Sequence, residues 1–274
     1  MQKHAVGQGW HWIANGWRLM RERLGLSIGV VLLMYVLLFV VSMLPMVGSM
    51  ITPFLTPFLA GGVYLVLARI QEIRARRAIE PLAGEQPIGF DLMFSAFSRP
   101  ALRKPLLLLG ALSVVFSLSL LLLMAGFVVW QLAGIDHAVL TDPTASDTAR
   151  LEFLMPYLLS GKAMLLWLVV MVVAVVYSMA TFFAVPLIVL RGFSLGDALK
   201  ASFAAVSANW LPFLWYALIW ALLFITVPLT MMLSLILLMP LLFASLFVAF
   251  EAIWPDQPTA PGHSSPPQRV STVM

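Results

Sequence analysis

Four histidines, His4, His11, His137 and His263, are the residues of this chain best suited to hold a metal or move a proton, and their spacing supports neither. No His-x-x-x-His or Glu-x-x-His pair occurs, so no helix face presents two ligands. His4 and His11 read as polar side chains at an interface, and His137 beside Asp136 is a dipeptide without further partners in the sequence. Ser160-Gly161-Lys162 places a serine near a lysine, but it stands at a helix start, where a turn explains it. A nucleophile elbow of the form Gly-x-Ser-x-Gly is missing, and so is a phosphate-cradling Gly-x-x-x-x-Gly-Lys-Ser/Thr loop. The chain has no cysteine, which excludes disulfides, thiolate nucleophiles, Cys-based zinc sites and iron–sulfur clusters. The expectation is a protein with no catalytic residue, no metal and no cofactor, and no enzymatic activity.

Charge is the remaining chemical resource. Arg74, Arg76 and Arg77 form one basic group and Arg99, Arg103 and Lys104 a second. Each basic side chain close to an anionic leaflet contributes about 1 kcal/mol of attraction. Two readings fit: these residues set topology, or they contact anionic phospholipid headgroups. Cardiolipin and phosphatidylglycerol are the partners that the second reading names.

What must position these residues follows from composition. Of 274 residues, 62% are hydrophobic and 10% charged, against about 25% charged in a soluble domain. Mean hydropathy is +0.99. A water-facing globule and a disordered chain are both excluded, and lipid is the solvent for most of the protein. The net charge of +4 then belongs to loops beside anionic lipid rather than to a nucleic-acid surface.

Charge-free stretches count the crossings. Residues 24–68 would extend about 67 Å as one helix, twice a hydrocarbon core of about 30 Å. They must fold back, and Pro45 and Gly48 mark the turn. Residues 201–250 are also too long for one crossing and divide near Pro228. The reading is all-α: a polytopic bundle of six helices at about 25–44, 49–69, 106–131, 163–190, 210–227 and 230–250. Arg69 closes the second helix; otherwise these segments hold no Asp, Glu, Lys, Arg or His. Titratable groups near the midplane are the usual mark of a proton-coupled transporter.

Six crossings put fourteen Lys and Arg residues on one side and two, Arg150 and Lys162, on the other. That asymmetry predicts cytoplasmic N- and C-termini. The 132–162 loop, with Asp136, Asp142, Asp147 and Glu152, then faces outward. Trp10, Trp12, Trp17, Trp130, Trp210 and Trp254 fall where an aromatic belt belongs. Glu251, at the inner end of the sixth helix, is expected to face headgroup water. Residues 1–254 read as one integral-membrane domain, with the first apolar segment a retained anchor rather than a signal peptide. Residues 255–274, rich in Pro, Ser and Thr, read as a disordered cytoplasmic tail.

Three short segments precede hydrophobic pairs: Gly16 to Arg23, Phe90 to Lys104, and Ser194 to Trp210. Each reads as an amphipathic helix lying at the interface. In the third, Leu195, Leu199, Phe203 and Val206 share one face, and Ser194 with Asp197 resembles a capping box. Three repeats of interfacial helix plus hairpin would produce this order; so would the basic, aromatic helix starts common to membrane proteins. Pro53, Pro57, Gly61 and Gly62 predict a second helix packed closely against partners, with Thr52 and Thr56 able to satisfy freed carbonyls.

Some motifs are more specific. Asp197-Ala198-Leu199-Lys200-Ala201-Ser202-Phe203 is followed by Asn209-Trp210-Leu211-Pro212-Phe213. Gly9-Trp10 is repeated seven residues on as Gly16-Trp17, and Leu44-Pro45-Met46-Val47-Gly48 lies between the first two helices. Together, over about residues 5–254, they resemble an uncharacterised family of proteobacterial six-helix inner-membrane proteins. That family is distantly similar to the membrane domain attached to some glycerophosphoryl diester phosphodiesterases. The resemblance implies a multi-pass protein of the bacterial inner membrane and transfers no catalytic residue; nothing here matches the acidic, histidine-containing phosphodiesterase barrel. The functional expectation is non-enzymatic: membrane organisation, lipid association or assembly of a complex, with a protein partner or a homo-oligomer left open. The alternative is a transporter or channel for a small or lipid-like solute.

Overall fold

An uncharged apolar run surrounded by hydrocarbon has to satisfy its backbone within itself, and the helix does so. The computed structural model describes residues 4–45, 47–79, 87–133, 140, 142–144 and 146–255. Among them helix is the only regular secondary structure, with six helical spans long and apolar enough to cross a membrane. The chain is therefore a multi-pass membrane protein.

The elements run α1 (Gln8–Glu22), α2 (Leu24–Ser42), α3 (Gly48–Ile79), α4 (Asp91–Ser98), α5 (Pro100–Leu132) and α6 (Asp147–Leu158). They continue as α7 (Gly161–Thr181), α8 (Ala184–Arg191), α9 (Leu195–Ala208), α10 (Trp210–Phe224), α11 (Thr226–Leu229) and α12 (Leu235–Ile253). The tail beyond Pro255, with His263 and Arg269, lies outside the described residues, as do Lys3 and the Asp136–His137 pair.

Several boundaries differ from the sequence expectation. The second crossing does not stop at Arg69; α3 continues to Ile79. Gln71, Glu72, Arg74, Ala75, Arg76 and Arg77 are good helix formers, and charge alone does not end a helix. The third crossing begins at Pro100 rather than near residue 106, with the proline in the first helical turn. The fourth is two helices. Pro186 offers no N–H to the carbonyl four residues back, and α7 gives way to α8 at Phe182–Phe183. The sixth starts at Leu235 instead of 230, after Met231 and Met232 adopt positive φ of 48° and 69°. The 132–162 stretch, expected as a loop, contains the helix α6.

A core forms around α3 and α12. α1, expected as an interfacial helix, packs between α10 and α12. Gly9 and Gly16 are two turns apart on one face. A Cβ on Gly16 would sit 2.6 Å from the Ser245 backbone, and one on Gly9 would sit 2.8 Å from the Pro212 carbonyl oxygen. Trp12 is consequently core, 1% exposed, with its ring 5.0 Å from Phe213. Trp254 is also packed, against Phe183 and Phe250. Trp10, Trp17, Trp130 and Trp210 are exposed.

The close-packed reading of α3 holds. Gly62 meets the Met93 backbone of α4, and Gly110 of α5 lies over Pro53 and Phe54. Thr52 and Thr56 donate to the carbonyls of Gly48 and Thr52, both 2.8 Å. Those are not the carbonyls at 49 and 53 that the prolines leave open. The Pro53 carbonyl instead faces Gly110 across the α3–α5 contact.

Candidate functional site

Helix ends collect polar groups because the backbone there is unpaired and the membrane is ending. At one end of this bundle meet α1, the last turns of α3, α4, the α8–α9 corner, the start of α10 and the end of α12. This basic end holds most of the described chemistry.

The α8–α9 corner is built locally. Gly192 at φ 69° closes α8, its N–H donating to Ile188 O and that of Phe193 to Leu187 O. Ser194 then caps α9, accepting from the Asp197 N–H at 3.3 Å. Its hydroxyl donates to the Asp197 carboxylate at 2.6 Å, so the capping-box resemblance is realised in altered form. α9 turns Ala198, Ser202 and Ala205 inward and leaves Phe203 exposed. Of the four apolar residues expected to share one face, Val206 is buried, Leu195 and Leu199 are half-buried against the core, and Phe203 is exposed. Small residues let α9 approach α7, and fully buried Ser202 bridges the broken helix. Its oxygen accepts from the Phe183 N–H at 3.0 Å, and its hydroxyl donates to Met179 O at 2.8 Å.

Asn209, 1% exposed, ties the N-terminus into this end. Its Oδ1 accepts from the His4 N–H at 2.9 Å, and its amide donates to Ala205 O at 3.0 Å. The His4 ring reaches Ala252 O at 3.2 Å. No group of three metal-ligating side chains occurs among the described residues.

Glu251 does not simply face headgroup water. It is half-buried and paired with Arg191 at 3.5 Å. The same guanidinium donates to Trp254 O at 2.5 Å and lies 5.6 Å from the Phe250 ring centre. Sixty residues separate the two partners in sequence, and nothing local joined them.

The six basic residues singled out by sequence fall in separate places. Arg76 and Arg69 both reach Glu72, at 2.9 and 2.6 Å, and Arg74 approaches Glu22 at 3.6 Å. Arg77 and Arg74 share a small crevice with Glu22, Arg23 and Ile88. Arg103 donates to Phe97 O at 2.9 Å, and exposed Arg99 precedes α5. Lys104 lines a different cleft, facing Gly192 to Leu195. Exposed pairs of this kind contribute little to stability.

A larger cleft, about 610 Å³, opens between α1, α3 and α12. Arg74 and Glu251 both line it, with Asn15 and Gln71, over a floor that includes Ala75 and Ala252. Sequence inspection had Arg74 but missed Asn15, Gln71 and the role of Glu251; a charged residue inside an apolar terminal run was the available signal. Toward the other end, a groove of about 380 Å³ runs between α2 and α12, lined almost wholly by apolar atoms of residues such as Val31, Tyr35 and Met239. Ser160, the other sequence candidate, is the N-cap of α7, accepting from the Ala163 N–H at 3.2 Å, which agrees with the turn reading.

Compared with family models, with curated proteins and with solved structures, the chain finds no match in any of the three.

Proposed function

We propose that this protein is a non-enzymatic, lipid-associating component of the bacterial inner membrane, with both termini cytoplasmic, and that it belongs to the six-helix family its motifs resemble. The observation that carries the reading is the gathering of arginines, polar clefts and exposed tryptophans at one end of an otherwise apolar bundle. A cation-rich rim at headgroup depth attracts phospholipid phosphate, and the tryptophans anchor the depth. Membrane organisation and complex assembly are the roles such lipid association serves.

Native mass spectrometry in mild detergent tests it. A stoichiometric phospholipid that is lost in the Arg74→Gln, Arg76→Gln, Arg77→Gln triple variant supports the reading. A bare chain overturns it, and a chain bound only to another protein replaces it with an assembly role.

A second reading rests on the α2–α12 groove. Its apolar lining, with Pro240 in the wall, suits passage of a lipid-like solute better than of an ion. Flux or lipid-exchange assays in proteoliposomes separate transport from binding.

A further inference from the structure

We infer that the cleft between α1, α3 and α12 binds a phosphoethanolamine headgroup, with Arg74 on the phosphate and Glu251 on the primary ammonium. The inference rests on the lipid-associating reading above and names the headgroup class.

The cleft carries one charge of each sign. Arg74 stands on its α3 wall and Glu251 on its α12 wall. A purely anionic headgroup would meet Glu251 as a like charge, which is unfavourable in a partly desolvated site. A zwitterion meets both. Arg74 touches Glu22 only at 3.6 Å, a long contact that leaves a five-donor guanidinium able to take up phosphate oxygens. Glu251 is held in place by Arg191, and a carboxylate accepts about four hydrogen bonds. Asn15 and Gln71 add amide groups for the phosphate and glycerol oxygens. Ala75 and Ala78 keep the α3 wall low, so a headgroup can enter between charged side chains. The position also fits: Glu251 lies in the last turn of α12 and Arg74 lies beyond Arg69 on α3, both at the charged ends of apolar spans. At about 610 Å³ the cleft has room for a headgroup and its glycerol backbone.

The test uses the full chain in mild detergent, challenged in native mass spectrometry with phosphatidylethanolamine, phosphatidylcholine and phosphatidylglycerol. Choline has the same charge as ethanolamine but no N–H to donate. One hydrogen bond to a charged group corresponds to about a tenfold preference for ethanolamine over choline lipid. Glu251→Gln keeps the size and an acceptor toward Arg191 and is expected to remove that preference. Ala78→Trp fills the cleft while leaving every ion pair intact, and is expected to reduce ethanolamine-lipid retention with unchanged thermal stability. Equal retention of the ethanolamine and choline lipids overturns the inference, as does a preference that survives both variants. Stronger retention of phosphatidylglycerol also overturns it while leaving lipid association standing, whereas retention of no lipid overturns both. Binding of soluble phosphoethanolamine without any retention of the ethanolamine lipid would assign the site to the free zwitterion and overturn the lipid form of the inference.

Discussion

The α1–α3–α12 core and the α5–α7 hairpin are written in the same apolar alphabet yet pack very differently. α3 buries 61% of its most apolar stretch and α12 buries 50%, while α5 buries 17% and the α7–α8 span 11%. The difference lies in small residues, not hydrophobicity. Lipid tails are as apolar as leucine, so helices in a membrane gain little by hiding leucine; they gain by close van der Waals contact. Gly9, Gly16 and Gly62 allow that contact in the core, and Gly110 allows it where α5 leaves α3. Beyond Ser113 the hairpin consists largely of branched residues, and Leu121, Leu122, Val129 and Leu165 are all more than 60% exposed. It is clasped at two places. One is the Tyr177 hydroxyl donating to Ser113 at 2.9 Å beside the stacked Phe116 and Tyr177 rings. The other is Gln131 donating to Tyr157 O and Ser160, with Lys162 over the Trp130 ring.

Substitutions can break this contrast or sharpen it. Gly16→Ala should be the most damaging, because its Cβ meets backbone that cannot move aside; a loss of about 2–3 kcal/mol is expected, read as a lowered Tm in detergent. An unchanged Tm would mean that α1 does not seat between α10 and α12. Ser202→Ala should cost about 1–2 kcal/mol, since it strands the buried Phe183 N–H at the α7–α8 break. Chemical denaturation of the purified protein, with Ser202→Thr as the variant that restores a hydroxyl, measures this loss. At the hairpin clasp, a Ser113→Ala and Tyr177→Phe double-mutant cycle should return a coupling of about 0.6 kcal/mol, typical of interhelical hydrogen bonds in lipid. Gly126→Ala, with nothing within 4 Å of the added methyl, should shift stability by less than about 0.5 kcal/mol. A large loss there would show that α5 has a close neighbour.

Much of the fold could be read in advance, for reasons visible in particular residues. Six crossings follow from where charges are missing, and the paired turns follow from Pro45, Gly48 and Pro228. The extension of α3 to Ile79 does not, because Arg69 reads as a boundary although the residues after it favour helix. By sequence Trp12 reads as an interface residue with Trp10 and Trp17; only the Gly9–Gly16 stripe, read as a contact face, places it inside. The basic candidates were identifiable as a population, but their division between Glu22, Glu72, the Phe97 carbonyl and a separate cleft was not. Arg191 and Glu251 are far apart in sequence, and each alone looks like a helix-end charge.

The sequence by itself determined that this chain crosses a membrane six times, with its positive charge concentrated on one side. Those properties are local: each backbone segment in hydrocarbon must satisfy its own hydrogen bonds, and each charge must stay near water. Only the tertiary structure decided which face of each helix is inside, which serine bridges a broken helix, and which arginine meets which glutamate. In lipid both faces of a helix are apolar, so no stripe marks the interior. The choice falls to glycines and small polar side chains whose partners lie far along the chain.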